Sequence, residues 1–241
     1  MKKALAALLC LTLLFVCTCP AFAQDAGTVC STAAELLDFV IVSRQYTTPL
    51  RIVPATLTQN GESRSVYLVA MLGMKEKEGQ VNSQKGGGTG PYAALVKETL
   101  FQTVPAGSAL VFAGHSLGGM TAQILRCDKQ LQDTYEILNV LCGGSPLMEV
   151  EADGEGSLHR LTDIWDLIPY IRSTSLCAFI RQIKTAHRES GCYFLNPDGA
   201  HNDSYGRNDV WGSYDVFGEK GGTAELQFYP EQICAYGAAA G

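Results

Sequence analysis

The chain has 241 residues, a length that suits one domain of ordinary size. Apolar residues make up 46% and charged residues 17%, which excludes a disordered chain and supplies enough material for a core. The formal net charge of −6 argues against nucleic acid as a partner, because phosphates need a basic face.

Residues 1–23 read as a secretory signal peptide. Lys2 and Lys3 give the positive start, Ala4 to Cys19 is almost unbroken apolar sequence, and Pro20 ends it. Ala21-Phe22-Ala23 places small residues at −3 and −1 of a cleavage site before Gln24, so residues 24–241 are expected as a single exported domain. An uncleaved anchor would need a longer apolar run. Lipid attachment at Cys17 or Cys19 would need a small residue before them, where Val16 and Thr18 stand. Cleavage removes two lysines and no acid, which takes the charge from −6 to −8. Six cysteines remain: Cys30, Cys127, Cys142, Cys177, Cys192 and Cys234. An even count in an exported chain permits disulfides, with about 15 full pairings open. No CxxC or Cys/His cluster suggests zinc, and Cys142, in apolar sequence, reads equally as a buried free thiol.

Thr32-Ala33-Ala34-Glu35 is a capping-box pattern and opens a helix over residues 32–45. Residues 65–72 (SVYLVAML) read as a buried strand, with residues 51–58 as its antiparallel neighbour turned at Asn60-Gly61. Residues 75–90 are polar, end in a glycine-rich run and read as a loop or lid. A helix over 91–104, a strand over 109–115, a helix over 117–129 and strands over 136–142 and 158–164 follow. This alternation predicts an α/β fold with a mostly parallel central sheet flanked by helices. The last thirty residues show no clear period.

Gly114-His115-Ser116-Leu117-Gly118 carries the chemistry. A serine hydroxyl needs a base to become a nucleophile and must project from the fold. A G-x-S-x-G turn between a strand and a helix does this, and the sequences on either side read as that strand and that helix. The alternative is a glycine-rich turn that only packs a helix on a sheet.

Three segments together resemble class 3 lipases: Leu110 to Gly119, Cys142-Gly-Gly-Ser-Pro146, and Asp166-Leu-Ile-Pro169. The resemblance covers roughly residues 66–205. It implies an α/β-hydrolase-like fold, an ester or lipid substrate with transient contact to a lipid interface, and a Ser-His-Asp triad without cofactor or metal. Carried over, Ser116 is the nucleophile and Asp166 the acid that orients the base. Asp163 and Asp153 compete with Asp166. Asp163 lies inside the expected strand, whereas Asp166 lies just past its end, where α/β sites form. The base must follow the acid, which leaves His187, on an expected helix face, and His201, in a polar loop ahead of Tyr205. Loop placement favours His201. The backbone N–H of Leu117 is one expected oxyanion donor and that of Met74 the second. Met74 departs from the family, which usually carries Ser or Thr there, with an Arg before it.

Three other features point elsewhere. Lys85 to Gly90 lacks the spacing of a phosphate loop. Asp198, Asp203 and Asp209, with Asn196 and Asn202, miss calcium-loop spacing and read as a turn cluster. The stripe Leu176, Phe179, Ile180, Ile183 reads as core or as the apolar face of a lid. The expected activity is carboxylic-ester hydrolysis. A phospholipase or acyltransferase on the same fold is the nearest alternative, and a non-catalytic binding protein with a vestigial elbow is the alternative from another class.

Overall fold

A hairpin organises one half of the sheet. Strand β2 (Leu50–Gln59) turns through Asn60 and Gly61, whose φ values of 54° and 82° are those of the tight turn that matches strand twist, into β3 (Glu62–Met71). The pairing is antiparallel and in register from Leu50 opposite Met71 to Gln59 opposite Glu62. The computed structural model describes residues 27–42, 49–73, 90–148, 153–171 and 173–236. The expected signal peptide, Met74 and the segment up to Thr89 where a loop or lid is expected therefore lie outside the described residues.

From β3 the sheet continues in parallel through β4 (Ala109–His115), β5 (Glu136–Gly143), β6 (Ser157–Asp163) and β7 (His187–Glu189). On the other side of β2 lie β8 (Glu225–Phe228), then β1 (Thr28–Cys30), both antiparallel to their neighbours. Strand β9 (Cys234–Tyr236) pairs with the first residues of β2. The fold is α/β, with its central strands parallel and helices on both faces.

Every residue of β4 is buried, as expected for a parallel strand covered on both sides. Its alternation splits the core in two. Val111 and Ala113 join Leu36, Leu37 and Val40 of helix α1 (Ala33–Val42) on one face. Leu110 and Phe112 join Val96 and Leu100 of α2 (Pro91–Thr103), and Ala122 and Leu125 of α3 (Leu117–Leu125), on the other. The capping box forms as the sequence predicts: the Glu35 N–H donates to Thr32 Oγ1 at 3.2 Å, and the Thr32 N–H to Glu35 Oε2 at 3.1 Å.

Several expectations change. The helix expected over 117–129 is two helices, because the Asp128 carboxylate caps a new one, α4 (Lys129–Thr134), accepting from the N–H groups of Gln130 and Leu131. His187 lies on strand β7 rather than on a helix, since β6 pairs with that segment from Leu161 opposite His187. His201 lies in a short helix, α6 (Pro197–Asn202), capped by the Asn196 side chain. Helix α5 (Leu176–Lys184) precedes β7, and α7 (Asn208–Trp211) follows α6. Among the described residues, no helix is long and apolar enough to cross a membrane.

The six cysteines among the described residues stand as free thiols rather than in the disulfides that an even count permits. Geometry explains part of this: Cys30 and Cys142 are buried in the separate clusters on opposite faces of the sheet. Burial pushes the Cys142 thiol up to about 12, and burial with the nearby Glu35 and Asp38 carboxylates pushes Cys30 up to about 12. Both stay protonated at neutral pH, and the thiolate is the reactive form. Iodoacetamide at pH 8 followed by peptide mapping is expected to label exposed Cys177, Cys192 and Cys234 in the native protein, and Cys30 and Cys142 only after denaturation.

Candidate active site

The site forms where β4 ends. Ser116 sits between β4 and α3 with φ 54° and ψ −117°, a conformation that costs a non-glycine residue about 1–3 kcal/mol. The surroundings hold it there. Its N–H donates to the Gly143 carbonyl at 2.8 Å, and its own carbonyl accepts from Ser145 Oγ at 2.7 Å. The glycines beside it answer to close approach. A β-carbon on Gly118 would lie 2.0 Å from the Met71 carbonyl oxygen, so α3 can press against the end of β3 only with glycine there. The strand–turn–helix that the motif predicts is present, and it presents Ser116 at the N-terminus of α3.

His201 faces Ser116. Its Nε2 lies 3.0 Å from Ser116 Oγ, and its Nδ1 lies 2.9 Å from Asp166 Oδ2. Asp166 is fully buried and the His201 side chain is 13% exposed, so the imidazole keeps one open edge while its acid partner has none. The Asp166 carboxylate accepts two further bonds, from the Ile168 N–H at 2.9 Å and from the Tyr205 hydroxyl at 2.7 Å. These bonds fix its orientation. The nucleophile, base and acid expected from the sequence are thus brought into one hydrogen-bonded row, and the arrangement can move a proton from Oγ to Nε2.

The rivals are engaged elsewhere. Asp163 accepts from the Gly191 N–H at 2.7 Å, Ser204 Oγ at 2.6 Å and the Trp165 N–H at 2.9 Å, so its carboxylate ties three segments together. Asp153 is exposed, and its carbonyl accepts from Gln132. The His187 ring stacks on His159 at 5.9 Å and lies 5.2 Å from Tyr214.

Two residues join the site that sequence reasoning did not place in it. Tyr205 was legible only as an aromatic after the base; its hydroxyl accepts from the Asp163 N–H at 3.1 Å while donating to Asp166. Burial, reinforced by the Asp166 charge, raises the Tyr205 phenol well above its usual value, which keeps it a donor. His115 is buried, and its Nε2–H donates to the His201 carbonyl at 2.8 Å. It thereby holds the backbone of His201 from the strand that leads into Ser116. No sequence signal distinguishes either role, because both depend on the meeting of β4, β6 and α6. Tyr205→Phe removes the bond to Asp166 and the acceptor of the Asp163 N–H; a destabilisation of roughly 1–3 kcal/mol is expected, read by thermal melting.

The oxyanion side is partly described. Leu117, buried, opens α3, whose N-terminal N–H groups favour negative charge. The chain leaving β3 passes over the nucleophile: a β-carbon on Gly73 would lie 2.8 Å from Ser116 Cβ. Met74, the expected second donor, is the next residue and lies outside the described residues.

The turn cluster near the base has its own partners. Asn196 caps α6, Asn202 bonds Asp198, and Asp209 pairs with Arg207. Among the described residues, no group of three or more His, Cys, Asp or Glu side chains could hold a metal ion.

No protein-family model, curated protein or solved structure matches the chain.

Proposed function

We propose that the protein is an exported serine hydrolase of the α/β-hydrolase type that cleaves carboxylic, lipid-like esters. The observation that carries this reading is the row from Ser116 Oγ through His201 to buried Asp166, at 3.0 and 2.9 Å. A strained serine at a helix N-terminus, beside an imidazole that is itself held by a buried carboxylate, is the arrangement acyl transfer requires. The apolar sequence of residues 1–23 supports export.

The chemistry follows from the geometry. Ser116 Oγ attacks the ester carbonyl carbon while its proton passes to His201 Nε2. Asp166 steadies the imidazolium that forms. The carbonyl oxygen becomes an oxyanion that accepts from the N–H of Leu117, with Met74 as the proposed second donor. Collapse breaks the carbon–oxygen bond to the alcohol, which leaves with the proton from His201. Water then gives a proton to His201 and attacks the acyl-enzyme; the bond from the acyl carbon to Ser116 Oγ breaks, the acid leaves, and the proton returns from His201 to Ser116 Oγ. The parent protein is expected to hydrolyse short p-nitrophenyl esters. Ser116→Ala should lower that rate by roughly four to six orders of magnitude. A Ser116→Ala protein with parental activity overturns the reading. Triglyceride, phospholipid and an added alcohol, offered in parallel, separate lipase, phospholipase and acyltransferase products.

A further inference from the structure

Ten large apolar residues are exposed among the described residues, and eight of them fall between Ile164 and Leu195. Single exposed apolar residues are ordinary, but such a concentration marks a contact surface. Leu167, Ile171, Leu176, Phe194 and Leu195 are 59%, 68%, 73%, 66% and 81% exposed. Ring contacts join the pieces in space: Trp165 meets Phe194 at 4.9 Å, and Tyr170 meets Phe179 of α5 at 5.2 Å. Leu195 is the most exposed of these residues. It holds φ 58°, a left-handed conformation that disfavours a leucine, and yet its side chain lies in water. The conformation belongs to a turn closed by the Asn196 N–H, which donates to the Tyr193 carbonyl at 2.9 Å.

The patch borders the Ser116 site. Leu167 follows Asp166, and Leu195 precedes the Asn196 cap of the helix that carries His201. Helix α5 is fixed beside them. Its Gln182 accepts from the Leu147 N–H at 2.6 Å and from the buried Arg160 at 2.8 Å, and Arg160 also donates to the Ser145 carbonyl at 2.8 Å. The apolar surface is thus clamped to the loop that supports the nucleophile.

Charge decides what the surface fits. The whole chain is acidic, with 18 basic residues against 24 acidic ones. The described part of residues 164–195 departs from this, with three basic residues (Arg181, Lys184 and Arg188) and two acids: Asp166, which is buried, and Glu189, which pairs with Lys220. Arg181, Lys184 and Arg188 are exposed. Exposed apolar side chains interleaved with basic ones suit the interface of a membrane with anionic headgroups. A second copy of the chain fits worse, because a two-fold interface would set the basic residues against their own copies.

We infer that the surface formed by residues 164–195 docks the protein onto anionic phospholipid bilayers, with the Ser116 site beside the membrane. The inference extends the ester-hydrolase reading by naming the surface at which that site works. The docking itself needs no turnover.

The test uses the protein as its expressing cell processes it, carrying Ser116→Ala so that no lipid is consumed. Co-sedimentation is measured with vesicles of phosphatidylcholine alone and of phosphatidylcholine with phosphatidylglycerol. The expected result is preferential binding to the anionic vesicles. The triple variant Arg181→Gln, Lys184→Gln, Arg188→Gln should weaken that binding by about a hundredfold, at roughly fivefold or more per cation. Leu176→Ser with Leu195→Ser should weaken binding to both vesicles, with thermal melting showing that each variant is folded. Equal binding to neutral and anionic vesicles, or unchanged binding by the triple variant, overturns the inference. So does light scattering that shows a dimer which dissociates on Leu176→Ser, since a second copy is then the occupant. Because binding is read without catalysis, it can fail while Ser116 proves reactive, or hold while Ser116 proves inert.

Discussion

His201→Ala is expected to lower ester hydrolysis by roughly four to six orders of magnitude, whereas His187→Ala should leave it within a few-fold of the parent. The difference rests on position. His201 Nε2 lies 3.0 Å from Ser116 Oγ, and its Nδ1 is held by Asp166 at 2.9 Å. Without that imidazole the Ser116 proton has no acceptor, and the serine is a poor nucleophile. His187 packs against His159 and Tyr214 on the last parallel strand, so its loss is a matter of packing alone. Steady-state kinetics on a soluble ester with both purified variants reads the contrast. A large loss in His187→Ala with a small loss in His201→Ala contradicts the assignment.

Gly118→Ala is the second large effect, and it acts on stability. The added carbon would lie 2.0 Å from the Met71 carbonyl oxygen and 2.5 Å from its carbon. Both neighbours are backbone at the end of a buried strand, so no side chain can swing aside. Helix α3 must move away from β3, which opens the core between Met71, Leu117 and Ala122. The expected destabilisation is on the order of 3 kcal/mol. That lowers the melting temperature by roughly 6–12 °C at this chain length. The same shift moves Ser116 away from His201, so activity should fall with stability. Melting within a degree of the parent would mean that β3 and α3 do not meet this closely.

How far the sequence could be read follows from the range of each signal. The nucleophile turn is local: an apolar run, a glycine-flanked serine and an amphipathic run specify it within a few residues of one another. The β2–β3 hairpin is local too, written in Asn60-Gly61 between two strand-like runs. The choice of Asp166 over Asp163 rested on a strand end, and the structure adds the physical reason. Asp163 is consumed by Gly191, Ser204 and Trp165, whereas Asp166 faces the imidazole. Long-range placement was not legible. Strand β8 comes from the poorly patterned end of the chain and inserts beside β2, where its partners are more than 160 residues away in sequence. Strand β7 has three residues, too few for a period, so His187 read as helical. Asp128 broke a continuous apolar period by capping a second helix, a competition of side chain and backbone that periodicity does not register. The roles of Tyr205 and His115 exist only once three distant segments meet.

The most direct measurement of the central claim is covalent. The parent protein is treated with a fluorophosphonate and digested, and the adduct is located by mass spectrometry. A single adduct on Ser116, absent from Ser116→Ala and greatly slowed in His201→Ala, is the result expected from the row of side chains at the end of β4. An adduct elsewhere, or labelling that persists in Ser116→Ala, contradicts the account.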